Sequence, residues 1–221
     1  MRLAGGALKT IAVLSHKGGS GKTTVAINLA MAWRAVGARV ILADCDPIRS
    51  AADSLRHRAD YDSLVVETAA SKLAALAYAS ERRGCDVLII DTPGGAEAGM
   101  IEAMRIADLS IAVSRPTYLD VAATLRTVDS LRRLGRAGTV LFNQCPPRRN
   151  GADSAVVSGT MDILRAGGLA VCPVGLQTRA VYQRAIAQGL GVSEYEPYGK
   201  AQAEISQLLA YVQAKTSTPK D

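Results

Sequence analysis

"TIAVLSHKGGSGKTT", residues 10–24, is the stretch on which the fold turns. An apolar, β-branched run passes into a glycine-rich turn, and a helical apolar pattern follows. That strand–loop–helix order is the setting in which G-x-x-x-x-G-K-[ST] forms a phosphate-binding loop. Gly18, Gly19 and Gly21 let the backbone turn where a Cβ would block it. The N–H groups of the segment Gly18, Gly19, Ser20, Gly21, Lys22, Thr23 and Thr24 can then converge on phosphate oxygens at a positive helix end. Lys22 is placed for the β- and γ-phosphates of a nucleotide, and the Thr23 hydroxyl for Mg²⁺. Two residues depart from the pattern. His16 stands where its first glycine belongs, and a second cation, Lys17, opens the loop. A lysine there cannot easily curl back onto phosphates enclosed by its own loop. It can reach phosphates held by a second copy of the chain and neutralise charge in trans. The plainer alternative is a surface lysine that the position tolerates.

Working outward, apolar runs alternate with helical patterns along all 221 residues, the signature of βαβ units. Strands are predicted over 10–15, 39–44, 63–67, 86–91, 109–114, 139–144 and 169–174. Helices are predicted over 23–36, 50–59, 69–83, 97–106, 118–134, 153–166, 179–187 and 200–214. The fold class is α/β: one domain over 1–215, a mostly parallel twisted sheet with helices on both faces, and a polar, frayed tail over 216–221. A chain 48% hydrophobic but 4% aromatic suits buried parallel strands. "CPPRRNGAD" (145–153) is the longest loop. Cys45, Cys85, Cys145 and Cys172 are scattered without metal spacing and read as free thiols of a reducing cytoplasm. Lys9 interrupts the apolar N-terminal stretch, which therefore does not read as a signal peptide, and no run approaches the ~18 apolar residues of a membrane span. Of the net charge of +6, residues 115–221 carry most, with 13 Lys and Arg against 8 Asp and Glu. Such a half can attract a polyanion.

Asp44, Asp46 and Asp91 are predicted at the C-terminal ends of strands, where open α/β sheets bind ligands. A carboxylate after a buried strand is costly unless a cation or water holds it. Asp91 is the candidate to hold Mg²⁺ through water. Asn143 can donate and accept in the pattern adenine presents, and "NQCP" lacks the N-K-x-D of guanine readers, so ATP is favoured. His16 and His57 have no nucleophile or metal constellation around them.

K-G-G-x-G-K-T-T at 17–24 resembles the deviant Walker A motif of the ParA/MinD family of partitioning and positioning ATPases, and by overall size its small, ParF-like branch. "ADCDPIRSA" (43–51) is similar to that family's switch I, "IIDTPGG" (89–95) to its Walker B and switch II, "LFNQ" (141–144) to its adenine-reading asparagine, and "TRAVYQRAIAQGLGV" (178–192) to the stretch before its last helix. The resemblance implies catalysis by Lys17, Lys22 and Asp46, with Asp46 orienting the attacking water. Thr23, Asp44 and Asp91 would serve the metal. It also implies a homodimer closed by ATP and non-specific DNA binding through Arg179, Arg184 and Lys200, with Arg148 and Arg149 as further candidates. A ParB-like or cargo-adaptor protein with a basic N-terminal segment would stimulate weak hydrolysis, and the protein would be cytoplasmic and nucleoid-associated. MinD-like members instead bind membranes by a basic amphipathic helix. Here Ile205, Leu208, Leu209 and Val212 form a stripe better suited to the domain's own core, and no membrane partner is expected. Nitrogenase-reductase-like relatives bridge a cluster with cysteines, which "DTPGGAEAGM" lacks. A pure adaptor that binds ATP without cleaving it is the remaining class, and Asp46 argues against it.

Overall fold

β1 (Lys9–Leu14) lies in the interior of the sheet because it is apolar on both faces, all but its first residue being buried. The computed structural model describes residues 7–95, 97–148, 152–168 and 170–217. β2 (Val40–Asp44), β3 (Val65–Glu67), β4 (Val87–Asp91), β5 (Leu109–Ser114) and β6 (Gly138–Phe142) complete a sheet of order β3-β2-β4-β1-β5-β6. Every pairing is parallel. Parallel strands need crossovers, and the sequence supplies helices between them.

The period of two along each strand divides the core. Ile11, Val13, Leu42, Ile89 and Ile111 face one layer, with α1 (Lys22–Ala35), α2 (Ser50–Leu55), α8 (Ala180–Ala187), α9 (Val192–Tyr195) and α10 (Lys200–Thr216). Ala12, Leu14, Ile41, Leu88 and Ile90 face the other, with α4 (Leu73–Arg82) and α5 (Glu97–Ile106). α6 (Tyr118–Arg133) and α7 (Ala155–Ala166) close the β6 side over Val140 and Phe142. Ile205, Leu208, Leu209 and Val212 of α10 are all buried in the first layer, so that stripe docks on the domain's own core. The four cysteines are free thiols. Among the described residues, no helix is long and apolar enough to cross a membrane.

Three local expectations change. The seventh strand over 169–174 does not form as a strand among the described residues. The segment does run beside β6, where Cys172 N–H donates to the Val140 carbonyl at 2.8 Å and Leu176 N–H to the Phe142 carbonyl at 2.9 Å. Only isolated parallel bridges result, Val140 with Val171 and Cys145 with Gln177. Between them the Phe142 carbonyl takes the Leu176 N–H in place of that of Val174, so the segment Pro173–Gly175 skips out of register at the sheet edge and the ladder does not continue. The strand expected over 63–67 shortens to β3, because Tyr61–Leu64 forms a helical turn, α3, after α2 stops at Leu55. A 3-10 turn over Ala70–Lys72 leads into α4, and α9 was not foreseen. α10 continues one residue past the expected domain end at 215, and 218–221 of the tail lie outside the described residues.

Candidate nucleotide site

The loop leaves β1 at Leu14 and closes on α1, whose N-cap is Gly21 at φ 89°; Gly19 is also left-handed, at φ 75°. A Cβ on Gly21 would lie 2.1 Å from Asn143 Nδ2, so both backbone and space demand glycine there. Asn143 Nδ2 donates to the Ser20 carbonyl at 2.8 Å, and Gln144 Nε2 to the Gly19 carbonyl at 3.0 Å. Gln144 does so at φ 54°, a conformation that costs a non-glycine residue about 1–2 kcal/mol. The end of β6 thus clamps the carbonyl side of the loop. The N–H groups of Gly18, Gly19, Ser20 and Gly21 have no acceptor among the described residues. They are available to an anion at the head of α1.

The two lysines of the loop stand in opposite situations. Lys22 is 7% exposed, and its ammonium donates to the Lys17 carbonyl at 3.4 Å, inside the loop. Burial lowers its pKa, and the charges of Asp91 and Asp46 offset part of that. The Lys17 side chain is 36% exposed and turns outward to Asp120 at 3.6 Å.

The carboxylates gather as the strand ends predicted, with Asp44 and Asp91 register partners across β2 and β4. Asp91 is fully buried, and neither of its oxygens makes a hydrogen bond of ordinary geometry. Burial raises its pKa to about 7, although Thr23 and Lys22 lie close enough to pull it down in part. A buried carboxyl whose oxygens lack a donor of ordinary geometry fits a site for a cation. Mg²⁺ binds through one or two carboxylates together with substrate phosphates, which this donor set fits. Among the described residues no cluster of three metal-ligating side chains forms a cage.

Asp44 is occupied differently. Its Oδ1 accepts the Asp46 N–H at 3.0 Å and its Oδ2 the Ala52 N–H at 2.9 Å. Burial raises its pKa despite those bonds. The geometry therefore has Asp44 holding the 46–52 turn, and with it Asp46. Asp46 is half-buried on the wall of a cleft of about 520 Å³, facing Gly18, Lys22, Thr23 and Gly94. Arg49 closes the turn from outside at φ 57°, donating to the Asp44 carbonyl at 2.6 Å and the Thr68 carbonyl at 3.2 Å.

Away from this cleft, Arg179 is engaged with Glu204 at 2.7 Å and Gln177 at 2.5 Å. Arg148 is paired with Asp153 at 2.8 Å, and Arg149 lies outside the described residues. Arg184 and Lys200 are exposed and have no ion pair among the described residues. Sequence reasoning missed Arg49, Gln144 and Asp120. Only Asp120 carried a legible signal, the T-x-x-D spacing of Thr117 and Asp120 at a helix start.

Residues 11–171 match the CobQ/CobB/MinD/ParA nucleotide binding domain family. The chain belongs to this MinD/ParA family of ATPases. It is 30% identical over 201 residues to the maintenance of carboxysome distribution protein A of Gloeobacter kilaueensis, covering 89% of each chain. It is 36% identical over 149 residues to the chromosome partitioning protein ParA of Caulobacter vibrioides, covering 65% of this chain and 49% of that one. The fold matches apo McdA of Cyanothece with a TM-score of 0.76 at 17% identity, covering 93% of this chain and 99% of the other. MinD of Pyrococcus furiosus matches at 0.72 and 18%, covering 93% and 98%.

Proposed function

We propose that this MinD/ParA-family chain is a ParA-like positioning ATPase that pairs face to face around ATP, binds DNA without sequence preference, and releases it when a partner stimulates hydrolysis. The observation that carries this reading is the division of labour between the two loop lysines. Lys22 is buried where it meets its own chain's phosphates, while Lys17 stands at the rim beside Asp120, on the outer side of the loop from which it can reach those of a second copy. Gly18–Thr24 hold the phosphates by backbone N–H groups, and Asn143 stands beside the loop as the adenine reader. Mg²⁺, held through Asp91 and Thr23, supplies charge neutralisation on the phosphates when bound. Asp46, fixed by Asp44, orients the attacking water, and Lys17 and Lys22 offset charge developing on the transferred phosphoryl group. The relatives named for carboxysome distribution and chromosome partitioning support a cargo-positioning role. The partner in this reading is an adaptor with a basic N-terminal segment that stimulates hydrolysis.

Sedimentation with ATP and Mg²⁺ tests the pairing. The Asp46→Ala protein is expected to accumulate as a dimer. Adding Lys17→Ala is expected to return it to a monomer that still binds ATP. A Lys17→Ala protein that pairs as well as its parent removes the trans role.

DNA binding falls to Arg184 and Lys200, which are exposed and unpaired among the described residues, more than to Arg179, whose guanidinium is held by Glu204. Replacing Arg184 and Lys200 together with Glu is expected to lower DNA retention at least about tenfold at moderate salt while leaving the dimer intact. Retention equal to wild type on immobilised DNA would move the interface elsewhere.

A further inference from the structure

Asp120 is 3% exposed near the start of α6, and nucleotide binding makes no direct use of it. Its carboxylate meets Arg115 Nε at 3.0 Å and Nη2 at 3.3 Å, accepts the Thr117 hydroxyl, and lies 3.6 Å from Lys17 Nζ. One negative charge thus faces two cations from different parts of the chain. A helix-capping role accounts for part of this. Thr117 is the N-cap and accepts the Asp120 N–H at 3.4 Å, and an acid in the first turn suits the helix dipole. Capping does not account for Lys17, which comes from the phosphate loop after β1. Burial acts to raise the Asp120 pKa, yet the bonds from Thr117 and Arg115 and the charges of Arg115 and Lys17 outweigh it and hold the pKa low. The carboxylate is therefore anionic and needs a cation.

We propose that Asp120 is a positioning residue that parks Lys17 within its own subunit and so sets how readily two copies close around ATP, with Arg115 as the replacement counter-ion when Lys17 leaves. This rests on the trans role of Lys17. For Lys17 to cross to a second copy it must give up Asp120. A nearly buried carboxylate left without any cation is costly. Arg115, already bonded through two nitrogens, remains and keeps that cost small. Lys17 and Arg115 are each more than a third exposed at the side chain, so each contact is modest. A symmetric pair breaks two such contacts, and their effects on pairing multiply.

Two substitutions should then act with opposite signs. Asp120→Asn keeps an acceptor for Thr117 but removes the charge that holds Lys17. It is expected to tighten pairing in Mg²⁺ and a non-hydrolysable ATP analogue, lowering the dimer dissociation constant about fivefold. Arg115→Gln leaves Lys17 as the carboxylate's only cation and is expected to raise that constant by about the same factor. Sedimentation equilibrium reads both. High salt should shrink the difference between them. If the two variants shift pairing in the same direction, or Asp120→Asn leaves it unchanged, Asp120 is a helix cap and the proposal is wrong. Melting curves without nucleotide identify a folding defect in either variant, and the other variant still decides the sign. A Lys17→Ala protein that pairs normally sinks the trans role and this inference together. A monomeric Lys17→Ala protein beside an Asp120→Asn protein indistinguishable from wild type sinks only the inference.

Discussion

Lys22→Ala is expected to weaken ATP binding by about 100-fold or more, the largest single loss at the phosphate loop. The size follows from where the ammonium sits. It is 7% exposed and held inside the loop by the Lys17 carbonyl, and a Cβ on Gly94 would come within 3.3 Å of it. Among the described residues lining the cleft Lys22 is the only cation, and the outward-turned Lys17 is directed at Asp120. A charge-assisted hydrogen bond contributes about 1.5–3 kcal/mol, and a lysine shared between two phosphates makes more than one. The ammonium also offsets the Asp91 carboxylate. Equilibrium titration with a fluorescent ATP analogue measures the effect. Affinity within about threefold of wild type would take Lys22 out of phosphate recognition, and with it the assignment of the loop.

How much of this site could be read from the sequence follows from the range of the interactions involved. The loop was legible because its chemistry is local. Gly19 and Gly21 have the left-handed backbone that their spacing implied, and Lys22 opens the helix immediately after them. Asp44 and Asp91 were legible as strand ends, and a parallel sheet brings strand ends together. What was hidden depends on tertiary partners. Nothing in "LFNQ" says that Asn143 and Gln144 clamp the Ser20 and Gly19 carbonyls, since that bond needs β6 beside β1's loop in space. Arg49 reads as a surface cation in an acidic turn, yet its positive φ and its two carbonyl partners make it the clasp of that turn. Arg179 was singled out for DNA by resemblance, and only the position of Glu204 on α10 shows that its guanidinium is already held. The seventh strand was expected from the apolar pattern over 169–174, and the skip from Cys172 to Leu176 along β6 is a tertiary pairing which that pattern does not carry.

Asp91→Asn is expected to do two things that pull in opposite directions: lower ATP hydrolysis at least about 100-fold, and stabilise the protein in the absence of metal. Both follow from the same two oxygens. Each is buried without a hydrogen bond of ordinary geometry, and burial raises the carboxyl's pKa to about 7. Such a group strains the fold that contains it, as functional groups often do. An asparagine of the same shape carries no charge to desolvate. Thr23 and Lys22 already offset part of the penalty, and the new amide N–H groups need acceptors, so the gain is held to about 1 kcal/mol. For a domain of this size that is about 2–4 °C in melting temperature. In wild type the cost is expected to be recovered when Mg²⁺ and nucleotide are added, because ligands that bind the native state stabilise it. The variant should lose that metal-dependent increment while keeping much of the increment from nucleotide alone. Melting curves with chelator, with Mg²⁺ and with Mg²⁺ plus ATP separate these contributions, and phosphate release reports the chemistry. If Asp91→Asn instead destabilises the metal-free protein by more than about 1 kcal/mol, the carboxylate is held by native contacts. It would then be a structural group, and the metal would have to be sought from another donor at the cleft.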